Sequence, residues 1–165
     1  MPDRPEIRSY DYVNHPYLRV RDALAADPPG VFRAATRAAA ARAESVAAAL
    51  HVQLGGLEVG TEIALTIGAI EEVDSTGYAS KITRIPVSWQ AARRPRLFPL
   101  MDAVLSIYAL TSTETQLDFL GRYEPPLGLL GGAVNAVVGH RIAEASVHRL
   151  VADVAQYLRD TLQAQ

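Results

Sequence analysis

Toward the end of the chain Val147, Leu150, Val151, Val154 and Leu158 recur at the helical period and make one apolar stripe. The stripe predicts the tail of a long C-terminal helix over residues 124–162, introduced by the turn at Pro125-Pro126. Projected back at about 100° per residue, it meets Ala133, Ala136, His140 and Ala143. The larger apolar residues of the first half, Leu130, Val134, Val137 and Val138, lie on a face turned away by roughly 140° on the same count. The helix therefore has two apolar tasks. Its tail packs into a core, and its head faces a ligand cavity, a lid contact or a partner chain.

Upstream, residues 6–14 carry the β-formers Tyr10, Tyr12 and Val13 and predict a first strand, stopped by His15-Pro16. Tyr17, Val20 and Leu24 then share one face of a short helix that ends near Asp27-Pro28-Pro29-Gly30. A second helix is expected over residues 31–50, rich in alanine, with Arg33, Arg37 and Glu44 on its wet side. From residue 52 the period becomes two: Ile63, Leu65 and Ile67 alternate with Glu62, Thr66 and Gly68, which predicts strand character to about residue 73. Gly55-Gly56 and Gly60 read as bends or bulges, and residues 74–77 as a turn. A strand over residues 78–91 contains Pro86, which places it at an edge or at a bulge. Residues 98–110 are apolar on both parities and predict a central strand covered on both faces. Leu117, Phe119, Gly121 and Tyr123 alternate with Gln116, Asp118 and Arg122 in a last strand over residues 115–123. Strands in hairpin order with helices set apart imply an antiparallel sheet, hence an α+β class, in one domain spanning 1–165.

Composition narrows the function classes. No apolar run approaches the roughly 20 residues of a membrane span, so no integral membrane segment is expected. The N-terminal MPDRPEIRSY lacks the apolar core of a secretory signal. The absence of cysteine removes disulfides, thiolate nucleophiles and cysteine-ligated zinc, and with the missing signal it predicts a cytoplasmic protein. A formal charge of −2 argues against general nucleic-acid binding. No G-x-S-x-G, H-E-x-x-H or S-x-x-K signature is present, and Gly128, Gly131 and Gly132 match neither G-x-G-x-x-G nor the P-loop. No cofactor is expected.

The order of elements, with a terminal helix laid across a curved antiparallel sheet and two short helices after the first strand, resembles the START-like or Bet v 1-like helix-grip fold. From Trp89 onward, W-Q-A-A-R-R-P-R-L-F-P-L-M, T-Q-L-D-F-L-G-R-Y-E-P-P-L-G-L-L-G-G and G-H-R-I-A-E-A-S-V are similar to bacterial SRPBCC proteins of the polyketide cyclase/dehydrase-like group. The resemblance covers nearly the whole chain as a topology and residues 89–158 as a residue pattern. It implies a deep cavity between sheet and long helix that binds an apolar or amphipathic small molecule. The group shares no catalytic set, so no active-site residue is carried over, and the alanine-rich second helix is long for it.

A helix gripping a curved sheet leaves a gap where the sheet bends away, and apolar walls with few polar groups make such a gap a binding site. The expected wall residues are Trp89, Tyr108, Phe119, Tyr123, Val134 and His140, with Asp102 as the unusual polar member. Asp102 shares the parity of Leu100, Val104 and Tyr108. Desolvated there it would suit a general acid or base; near a strand end it would be solvated or paired with an arginine. His140 is either a proton shuttle and ligand contact or a histidine hydrogen-bonded at the core margin. His140, Glu144 and His148 stand at i, i+4 and i+8, but their bearings drift and Arg141 and Arg149 flank them, so a salt-bridged surface is expected rather than a metal site. Arg93, Arg94 and Arg96 with Arg84 either receive an anionic headgroup or form a solvated hairpin tip.

Three functions fit these residues. The first is a monomeric or homodimeric module holding a lipid, quinone or polyketide-like ligand. The second is a cyclase or dehydratase using Asp102 and His140 for proton transfer. The third is a partner-binding protein with a patch at Leu130, Val134, Val137 and Val138.

Overall fold

The computed structural model describes residues 4–49, 63–77, 81–91, 100–124 and 133–165, with side chains described except at 40, 43–49, 63–65, 89–91, 100, 133–136 and 138. The elements run β1 (Glu6–Val13), α1 (Tyr17–Ala26), α2 (Pro28–Ala49), β2 (Ile63–Ile67), β3 (Glu71–Asp74), β4 (Lys81–Ala91), β5 (Leu100–Ala109), β6 (Thr115–Glu124) and α3 (Ala133–Gln163). The fold is α+β: a curved, six-stranded antiparallel sheet in the order β1-β6-β5-β4-β2, with β3 also on β4, and a C-terminal helix. β4, β5 and β6 form a meander, and the first strand of the chain closes it by pairing along β6 from Glu6↔Arg122 to Val13↔Thr115.

Local chemistry sets the helix starts. Pro16 caps α1 at φ −59° and ψ 145°, and its carbonyl accepts from Val20 N at 3.2 Å. α2 begins three residues earlier than the alanine run predicts, at Pro28 rather than at 31. Two prolines fit a first turn, whose N–H groups have no intrahelical partner, and Asp27 Oδ1 accepts from Gly30 N at 3.1 Å as an N-cap. A β-carbon on Gly30 would stand against the Asp27 carboxylate, so glycine keeps room for that cap.

The expected strand to residue 73 is two strands. Ile67 pairs with Val87 and Glu71 with Arg84, so Gly68, Ala69 and Ile70 stand against only Ile85 and Pro86. This is a bulge of one extra residue. Gly68 N donates to Pro86 O at 2.8 Å, which shows that the polar backbone of Pro86 faces the β2–β3 side. The proline therefore lacks its N–H where the ladder is already interrupted and leaves the β5 side intact.

One face of the sheet is the core. Ile7, Ile85, Val87, Met101, Leu105, Ile107, Leu117 and Phe119 are buried on it against Val20, Leu24, Val31, Phe32 and Ala35 of α1 and α2 and the α3 stripe. Every member of the predicted stripe, Val147, Leu150, Val151, Val154 and Leu158, is buried, and Ile142, Ala143, Ala155 and Leu162 join it. Burying each valine, leucine or isoleucine of that stripe contributes roughly 1.5–3 kcal/mol. α3 lies mainly along α2 and β1. Polar pins fix its position: Ser9 Oγ to His148 Nδ1 at 2.9 Å, and Arg159 Nη2 to Asp11 Oδ1 at 2.8 Å and to the Tyr12 carbonyl.

β5 corrects the expectation of burial on both faces. Met101, Ala103, Leu105 and Ile107 are buried, but Asp102 is exposed and Val104, Ser106 and Tyr108 are only half-buried. The strand is central, yet its second face looks outward, where Val104 is flanked by Leu120 and Pro86. Among the described residues, the apolar side chains of that parity meet cross-strand neighbours rather than a second layer. Among the described residues no helix is long and apolar enough to cross a membrane.

Candidate functional site

The strand ends Ile63, Ala91, Leu100 and Glu124 lie at one end of the sheet, with Ile63 opposite Ala91 and Leu100 opposite Glu124. The next register row inward on the core side carries Met101 and Tyr123, opposite each other, with the backbone of Trp89 opposite Met101. Tyr123 N donates to Pro5 O at 3.1 Å, which fixes the last strand here to the chain before β1. Met101 and Tyr123 are both 1% exposed. Gly121 makes the close fit possible. A β-carbon there would lie 2.7 Å from Met101 Sδ, 3.1 Å from Phe119 Cε1 and 3.2 Å from Ala103 Cβ.

The head of α3 places His140 against this row. Tyr123 Oη lies 3.0 Å from His140 Nδ1, and the rings are 6.0 Å apart at centroids and tilted by 37°. Burial pushes the Tyr123 phenol up from its ordinary pKa, so it is protonated at neutral pH. The imidazole itself is exposed, and Val137, three residues earlier on the helix, is 58% exposed. A buried phenol, an exposed imidazole hydrogen-bonded to it and an apolar wall of Met101, Ala103 and Phe119 thus meet where α3 passes over the end of the sheet. Such a boundary can hold an apolar body on one side and a polar group on the other.

Of the residues picked from sequence, the structure brings Tyr123 and His140 together and buries Phe119 on the same face of β6. Tyr108 is elsewhere. It lies half-buried on the outward face, opposite Gln116 and Ile82, and its hydroxyl is pushed up by burial and then by the Asp118 carboxylate. Asp102 is likewise outward, with its side chain 59% exposed and its Oδ2 2.8 Å from Arg4 Nη1. It stands opposite Arg122 in the register, and Arg4 also pairs with Glu124. Asp102 is therefore no desolvated carboxylate, and the arginine-paired alternative is what the fold builds. Asp102 and His140 face opposite sides of the sheet, so the two are not joined in one proton-transfer site. The side chains of Trp89 and Val134 lie outside the described residues, as do Leu130, Val138, the Arg93, Arg94 and Arg96 loop and the glycines at 55, 56, 60, 128, 131 and 132.

The i, i+4, i+8 series splits. His140 turns to Tyr123, while His148 bonds Ser9 through Nδ1 and stands 3.8 Å from Glu144 Oε1 through Nε2. Among the described residues no three His, Asp or Glu gather to hold a metal ion. Met101 and the Ser9–His148 pair were not singled out beforehand. The signal for both was parity: Ser9 shares its face with Ile7 and Val13, and Met101 with Ala103 and Leu105.

No protein-family model and no curated protein matches the chain. Solved structures of similar shape exist. One, from Thermus thermophilus, is 14% identical with a TM-score of 0.43, over 95% of this chain and 99% of that one. A conserved protein from Geobacillus kaustophilus is 12% identical with a TM-score of 0.46, over 95% and 94%. A hypothetical protein from Helicobacter pylori is 13% identical with a TM-score of 0.41, over 91% and 88%. Likeness at this level assigns no activity.

Proposed function

We propose that the chain is a START-like, helix-grip protein of the SRPBCC type that binds a hydrophobic or amphipathic small molecule, such as a lipid, quinone or polyketide-like compound, between the sheet and α3. The observation that supports the reading is the Tyr123–His140 pair: the buried phenol of an apolar inner row has its polar contact in the exposed imidazole at the helix head. A buried phenol needs a hydrogen-bond partner, and here that partner is an exposed ring, which leaves a polar edge beside apolar side chains. Native mass spectrometry of the freshly purified protein tests the reading. A co-purifying small molecule, or saturable uptake of the neutral apolar dye Nile red after delipidation, is the expected result. An empty protein that takes up no dye refutes it.

Exposed Val137 favours one second reading, in which the helix head with Leu130, Val134 and Val138 contacts a partner chain. Light scattering separates the two. Val137→Glu lowers the mass of an oligomer under the partner reading and leaves a monomeric ligand carrier unchanged.

A further inference from the structure

Resting on the ligand-binding reading, we infer that exposed His140 presents a fixed Nε2–H donor at the head of α3 and that the ligand it takes ends in a carboxylate. The argument begins with the buried phenol. Tyr123 is 1% exposed, and the described hydrogen-bond partner of its hydroxyl is His140 Nδ1 at 3.0 Å. A buried O–H left without an acceptor costs about 1–3 kcal/mol, whereas a hydroxyl oxygen with an unused lone pair costs less. The phenol therefore donates. Nδ1 must then be the bare nitrogen of the neutral ring, and the proton sits on Nε2. Burial keeps the phenol protonated at neutral pH, so its proton is there to donate to the neutral ring.

The ring is exposed, and its Nε2 edge is the part of the pair not engaged with Tyr123. Val137 supplies an exposed apolar residue three positions earlier on the same helix. A donor with an apolar neighbour suits an amphipathic molecule that lays its apolar body against the helix head and turns its acceptor to the imidazole. Among acceptors, an ionised carboxylate makes a hydrogen bond about twice as strong as a neutral oxygen does. Tyr123 acts here as a positioning residue, since it sets the tautomer without touching the headgroup.

Two measurements on the full chain test this. Long-range proton–nitrogen NMR at pH 8.5, where imidazole is ordinarily neutral, should show His140 as the Nε2–H tautomer. Tyr123→Phe should weaken that bias. A predominant Nδ1–H form in the wild type overturns the assignment. The second measurement displaces Nile red with dodecanoic acid or dodecanol. The acid should bind about tenfold more tightly than the alcohol, His140→Ala should reduce that ratio to near one, and Asp102→Asn should preserve it. Equal affinities for acid and alcohol, with the dye binding normally, overturn the carboxylate and leave the ligand-binding reading standing. Failure of the dye itself to bind overturns both. If His140→Ala does not fold by circular dichroism, His140→Gln takes its place: retaining an N–H, it should keep part of the preference, and a complete loss counts against the donor role.

Discussion

Gly68→Ala isolates the steric logic of the bulge on which the sheet turns. The added β-carbon would lie 2.9 Å from Pro86 Cβ, 3.0 Å from its Cγ and 3.4 Å from its Cδ. A pyrrolidine ring cannot swing aside as a flexible side chain can, so either the ring or the β2–β3 backbone must move. The same shift would stretch the 2.8 Å bond from Gly68 N to Pro86 O. Overpacking of this kind costs about 1–3 kcal/mol, while replacing glycine stabilises through the unfolded chain by about 0.4–1 kcal/mol. Gly68 is half-buried, which lets the bulge relax outward. The net expectation is a loss of about 1–2 kcal/mol. With a urea slope of about 2 kcal/mol per molar, the unfolding midpoint falls by roughly 0.5–1 M at unchanged slope. In a Pro86→Gly background the opposing atoms are gone, and the same substitution should be neutral or stabilising, giving a coupling energy of about 1–2 kcal/mol. A midpoint at or above the parent for Gly68→Ala alone, or a coupling near zero, would refute the account.

Other substitutions test other parts. Asp102→Asn removes one partner of an exposed ion pair, so it should shift stability by less than about 1 kcal/mol by urea unfolding and leave Nile red uptake unchanged. Arg159→Ala breaks bonds to Asp11 and to the Tyr12 carbonyl and a stacking contact on the Tyr12 ring. It should cost about 1–2 kcal/mol, and Arg159→Lys should not restore it, because an ammonium lacks the guanidinium's fork. The alkaline limb of stability has a defined sign. Burial raises the phenols of Tyr108 and Tyr123 above the ordinary 10.0. Folded protein thus holds protons that the unfolded chain releases, and the stabilisation, complete below pH 10, is lost as pH rises through the folded values. Tyr123→Phe should flatten the fall in urea midpoint above pH 10. An identical fall in the variant would count against the buried phenol.

The helices and strand faces were legible wherever one face alone was apolar. The stripe from Val147 to Leu158 and the alternation from Leu117 to Tyr123 were read correctly because each leaves a polar opposite side. The early start of α2 was hidden because two prolines look like a stop, and only the Asp27 cap turns them into a first turn. The break between β2 and β3 was announced by Pro86, although which neighbouring strand carried the bulge depends on the side its carbonyl faces.

The site was half legible for a related reason. Tyr123 and His140 were each picked out, but the bond between them joins a strand to a helix, and periodicity within one element says nothing about the rotation of another. Parity misplaced Asp102 as a wall residue, while its arginine-paired alternative holds. Leu100, Val104 and Tyr108 share its face and made that face look interior, whereas the interior face of β5 is the plainer set Met101, Ala103, Leu105 and Ile107. Arg4 and Arg122, the charges beside Asp102, come from the N-terminus and from β6. A lone carboxylate among apolar residues is thus ambiguous until its cross-strand neighbours are known. With two arginines beside it, that carboxylate marks the wet side of the strand, and the interior row lies one residue over, at Met101 and its partner Tyr123.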